Sequence, residues 1–156
     1  MPDLAPFHRE FVFVHLLAIF AFLLAHGVSA GVIFRIRRET DPQSVRSLLK
    51  LSEGSIMVMG VAALVVLVSG VLAGFSGNYW TAGSYWLWAS LAVFLIVAFL
   101  MTPLARIPLN RVRDAVDSGD SAAVELATAS TRPMLVASLG VAAVVVLTWL
   151  MMYKPF

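Results

Sequence analysis

Residues 11–34 read FVFVHLLAIFAFLLAHGVSAGVIF and stop at the basic cluster Arg35-Ile36-Arg37-Arg38. A helix needs ~20 predominantly apolar residues to cross the hydrocarbon core. This stretch supplies that length with only two histidines and one serine as polar interruptions. It is longer than the apolar core of a signal peptide, has only Arg9 as a preceding cation, and ends in arginines rather than at a small-residue cleavage site. It therefore predicts a retained transmembrane helix.

Three further segments repeat the pattern, at residues 54–75, 85–105 and 134–152, separated by basic connections at 35–53 and 106–133. The chain has 156 residues, of which 60% are hydrophobic and 13% charged. A soluble domain carries ~25% charged residues. Backbone groups in lipid must be satisfied within the segment, so the spans are helices, and the period-two alternation of a membrane barrel is absent. The expected fold is all-α: a polytopic bundle of four transmembrane helices in one domain over 1–156.

Charge sets the orientation. The two long connections hold nine of the eleven basic residues, and the other two are Arg9 and Lys154. The positive-inside rule places both connections in the cytoplasm and both termini outside, as in a bacterial inner membrane protein. Tyr79, Trp80, Tyr85, Trp86 and Trp88, with Trp149 and Tyr153, form an interfacial belt at the opposite end. The net charge of +2 thus reports topology, not nucleic-acid binding.

After the arginines, Asp41-Pro42 reads as an N-cap followed by proline at the first helical position. Val45, Leu48 and Leu49 make an apolar stripe, so a short amphipathic helix on the cytoplasmic surface is expected to run into the second span. Arg35, Arg37, Arg38, Arg46 and Lys50 are the candidates for lipid head-group contact. Gly70 and Gly74 form a small-xxx-small pair that admits a closely packed helix, with a homodimer as one use. The third span is expected to end near Pro103, ahead of Pro108. A second short helix is expected from Ser121 to about Ser130. The halves share an order of span, basic stretch, Asp-led helix and span, which suggests a parallel repeat.

The chemistry rests on few side chains. There is no cysteine, hence no disulfide and no thiolate ligand. No Ser-His-Asp set, metalloprotease motif or phosphate-binding glycine loop is present, which points away from an enzyme. On a straight helix at ~100° per residue, His8, His15 and His26 share one stripe. His15 lies near the outer edge of the span and reads as interfacial. His26 lies deeper, where an ionisable residue faces the bundle interior and has a partner. Gly27, Ser29, Ala30 and Gly31 leave room beside it.

His26 and His15 are therefore the candidate cofactor or metal ligands. A b-type haem is the leading reading, in an electron-transfer subunit. Its second axial ligand would come from a second copy, a partner subunit, or Met57, Met59, Met101 or Met134. The alternatives are a cofactor-free accessory or assembly subunit of a membrane complex, with His26 bonded to a serine or a carbonyl, and a copper-handling protein using His and Met. Glu53 reads as a carboxylate at the start of a helix or as a partner of the arginines.

The run AHGVSAGVIFRIRRETDPQSVRSLLKLSEG, residues 25–54, resembles a group of bacterial four-span predicted integral membrane proteins of DUF type, distantly similar to the CopD copper-resistance membrane domain. His26-Gly27, Phe34-Arg35 and Asp41-Pro42 carry the likeness. The resemblance implies a four-helix bundle and a role for the first-helix histidine, with no established activity.

Overall fold

The computed structural model describes residues 4–39, 41–119, 124, 126 and 132–155. A single 3-10 turn, Ala5–Phe7, leads into four helices: α1 His8–Ile36, α2 Pro42–Ser76, α3 Tyr85–Ser118 and α4 Arg132–Tyr153. There is no strand among the described residues. α1, α2 and α4 are each long and apolar enough to cross a membrane, and Tyr85–Met101 is a shorter apolar stretch within α3. Large apolar side chains such as Phe20, Leu24, Leu64, Phe99 and Val145 point outward along these helices. That is the surface expected where lipid is the solvent.

The helices pair unevenly. α1 packs along α2, and α3 packs on α4, while α2 meets α3 and α1 meets α4 in fewer places. The short 77–84 connection makes α2 and α3 consecutive, yet each finds its long partner elsewhere. The reason lies at α1 and α2, where buried positions recur every seven residues. On α1 they are Ala18, Ala25 and Val32, with Ser29 and Ile36 on the flanking row; on α2 they are Ser55, Ala62, Ser69 and Ser76. A seven-residue repeat is the seam of a left-handed coiled pair. Small residues line it because backbones must approach closely where lipid removes the hydrophobic drive. The α2 serines bond within their own helix, as in Ser55 Oγ donating to Leu51 O at 2.7 Å.

At the basic end the packing changes character. Val32 and Ile36 of α1, Val45 and Leu49 of α2, and Val112 and Val116 of α3 form one buried cluster, with Leu48, Leu109 and Val124 against it. The amphipathic stretch from Val45 runs into the second span as expected, as the first part of one continuous α2. Its apolar stripe faces α1 and α3 rather than a bilayer surface. The apolar stretch of α3 ends at Met101, close to the expected end of the third span, but the helix itself continues through Pro103 and Pro108 to Ser118. Each proline removes one backbone hydrogen bond and costs roughly 3 kcal/mol in a helix interior. Docking Leu109, Val112 and Val116 on the cluster offsets that cost. The helix expected over 121–130 lies, apart from Val124 and Leu126, outside the described residues.

The caps follow the local chemistry. Asp41 caps α2, accepting from Gln43 N–H at 3.3 Å, Ser44 N–H at 2.9 Å and Ser44 O–H at 2.7 Å. Gly119, at φ 72°, ends α3 in the left-handed conformation that suits glycine. The Ser44 hydroxyl and the two amides favour the ionised Asp41 and hold its carboxyl below the usual carboxylate range. A depressed folded-state pKa contributes stability that is present above the unfolded value and lost as pH falls through the folded one. Asp41→Asn is therefore expected to lower the unfolding midpoint near neutral pH. Its difference from wild type should narrow as the pH is taken below the ordinary aspartate range, in thermal melts of detergent-purified protein.

Candidate functional site

The histidines decide which neighbour each turn of α1 grips. His8 Nδ1 lies 2.9 Å from Ser76 Oγ. His15 Nδ1 lies 2.9 Å from Val66 O and 3.2 Å from Ser69 Oγ. One seven-residue step along α1 thus matches one step back along α2, from Ser76 to Ser69. Continuing the register sets Phe22 opposite Ala62 and Ser29 opposite Ser55, and Ser29 Oγ also lies 3.4 Å from Ser52 Oγ.

His26 leaves this seam. Its Nε2 donates to Ala137 O of α4 at 3.3 Å, and the Phe22 ring lies parallel to it with centroids 6.2 Å apart. The single stripe expected for the three histidines holds only on a straight helix. His8 and His15 are separated by seven residues and stay on the seam, whereas eleven residues carry His26 around toward α4. His15, expected at the interface, is half-buried against α2.

Glycine makes the room. A Cβ on Gly70 would stand 2.9 Å from His15 Cε1, and one on Gly140 would stand 2.7 Å from His26 Cε1. A Cβ on Gly74 would meet the Trp80 indole at 2.6 Å. Gly70 and Gly74 are close-packing positions as expected, but His15 and Trp80 of the same chain fill the space above them.

The hydrogen bonds also set the tautomers. A carbonyl can only accept, so His15 carries its proton on Nδ1, and Nε2 keeps its lone pair. At His8, Ser76 O–H donates to Ala73 O at 3.1 Å, which leaves Ser76 Oγ to accept from His8 Nδ1–H. Nε2 is again bare. His26 is the reverse, with a proton on Nε2, the nitrogen that meets Ala137 O. Of the two expected ligands, His15 offers the better-placed nitrogen. A metal-binding histidine characteristically donates its other ring N–H to a carbonyl, which fixes the ring and raises the basicity of the ligating nitrogen. Among the described residues no group of three or more His, Asp or Glu side chains could hold a metal ion. Met57 is largely exposed.

Two open clefts lie at the basic end among the described residues. One of about 630 Å³ is lined by Asp41, Arg46, Ser47 and Lys50 beside the end of α3. The other, of about 400 Å³, is lined by Ser52, Glu53, Met57, Asn110 and Arg113. Several lipid-contact candidates already have protein partners. Arg35 pairs with Glu39 at 3.3 Å. Arg46 pairs with Asp117 at 3.5 Å and donates to Val116 O at 3.3 Å. Glu53 pairs with Arg113 of α3 at 3.0 Å, rather than with Arg35, Arg37 or Arg38.

The residues that composition did not single out are Val66, Ser69, Ser76, Ala137 and Gly140. The signal for the serines was the shared seven-residue spacing of 8, 15 and 29 with 76, 69 and 55. Nothing in sequence shows which helix His26 meets. No curated protein and no solved structure matches the chain, so the likeness to CopD finds no counterpart there. A family profile described as "Predicted integral membrane protein (DUF2269)" matches residues 11–155. That covers all four helices except the first turn of α1, and the chain belongs to this family of integral membrane proteins.

Proposed function

We propose that this small integral membrane protein is an electron-transfer component that holds one b-type haem through Nε2 of His15. The supporting observation is the His15 Nδ1–H bond to the Val66 carbonyl, shared with Ser69 Oγ, which leaves Nε2 as the basic nitrogen. The haem would supply one-electron redox chemistry. The chain would supply a fixed imidazole, a low-dielectric surround and protection from water. The second axial position would be filled by a partner subunit or a second copy, because His8 and His15 lie on one stripe of one helix. In this reading both termini lie outside a bacterial inner membrane, and Arg38 and Lys50 meet anionic head groups at the cytoplasmic face.

The test is the absorption spectrum of the full chain purified from haem-replete cells, oxidised and then dithionite-reduced. A Soret band should appear in wild type and His26→Ala and vanish in His15→Ala. Absence of the band in wild type, or its survival in His15→Ala, defeats the assignment.

The contact of His26 with Ala137 and Gly140 favours a second reading, a cofactor-free accessory subunit in which the histidines only lock helices together. That reading expects no Soret band and a lowered unfolding midpoint for each histidine variant.

A further inference from the structure

At the aromatic end, the Lys154 ammonium lies 4.7 Å from the Tyr79 ring centroid and 5.1 Å from that of Trp86. The two rings meet edge to face, with centroids 5.8 Å apart and planes at 69°. They form two walls of a corner. His8 stands edge-on to Tyr79 at 6.1 Å, and its bond to Ser76 fixes it there. The corner thus joins the 77–84 connection to α3 and is braced from α1 and α2, while its occupant comes from the end of α4.

That occupant is held against a backbone preference. Lys154 has φ 44°, and its N–H closes α4 on Leu150 O at 3.1 Å. Glycine or asparagine is the usual residue in this left-handed position after a helix. A lysine there is strained.

We propose that the Tyr79–Trp86 corner is a binding site for primary or quaternary alkylammonium groups, which exchange with Lys154. Aromatic faces attract cations through the ring quadrupole, and two walls at a steep angle present two faces to one cation. The aromatic belt places the corner at head-group depth. A lipid ethanolamine head group and a free small amine share the recognised chemistry.

The experiment uses the full chain in nanodiscs of phosphatidylglycerol, which has no ammonium. Ethanolamine hydrochloride is titrated against matched sodium chloride while tryptophan fluorescence is followed. Lys154→Ala should give a saturable change beyond the salt control, and wild type should need about tenfold more amine because Lys154 competes from within the chain. The change should vanish in Lys154→Ala/Trp86→Leu and in Lys154→Ala/Tyr79→Leu. The second background is used if circular dichroism shows that the first has lost helix. In nanodiscs that also contain phosphatidylethanolamine, native mass spectrometry should find one more such lipid retained by Lys154→Ala than by the double variants. A response to either source supports the site and identifies its ligand. A response to neither, or an equal response with Trp86 or Tyr79 removed, overturns it.

Discussion

Gly140→Val is expected to destabilise the protein by about 2 kcal/mol, through overpacking at the α1–α4 crossing. Even a first carbon at position 140 would stand 2.7 Å from His26 Cε1 and 3.0 Å from Nε2. If the ring yields, it moves away from its bond to Ala137 O on α4. Such interhelical bonds in membranes are worth ~0.6 kcal/mol on average. The diagnostic comparison is therefore a cycle. His26→Ala removes the ring that the new side chain strikes, so Gly140→Val in that background should cost at least about 1 kcal/mol less than in wild type. Gly60→Ala is the control, because a Cβ there meets nothing within 4 Å. Reversible unfolding in mixed micelles measures all four variants. Equal costs in both backgrounds would show that His26 is not what Gly140 makes room for.

Leu49→Ala should cost about 2–3 kcal/mol by leaving a cavity in the cluster where α1, α2 and α3 meet. Leu51, two positions on and 55% exposed, should tolerate alanine to within about 0.5 kcal/mol. Leu49 precedes the apolar part of α2, so its burial is a transfer out of water, and the full cavity and transfer cost applies. Inside the span, burying a leucine gains little over leaving it in lipid, and specificity falls to hydrogen bonds and close approach. One helix is thus stabilised by two different physical effects at its two ends. Similar losses for Leu49→Ala and Leu51→Ala would remove that distinction.

The contrast explains what could be read from the sequence. The apolar runs, the basic clusters and the Asp41-Pro42 cap are local signals, and the helices stand where those signals put them. α3 past Pro103 was not legible, because Leu109, Val112 and Val116 repay the prolines only once α1 and α2 supply the other half of the cluster. The histidines were legible as a group but not as contacts. A straight-helix wheel puts them on one stripe, whereas the pair is coiled, and a seven-residue seam separates His15 from His26. The choice between them as a ligand depends on which nitrogen a neighbour's carbonyl engages, and that belongs to the folded arrangement alone.

The uneven pairing of the helices also bears on how the protein is made. The α1–α2 seam, from His8–Ser76 down to Ser29–Ser52, closes within the first 76 residues. Those residues can register as a hairpin before α3 and α4 join them. α3 and α4 then arrive as a second hairpin, and two late events seat it: Val112 and Val116 closing the cluster, and His26 reaching Ala137. Until α4 is in place, His26 lacks its Ala137 acceptor. Assembly therefore has a built-in final step, in which that ring finds its carbonyl.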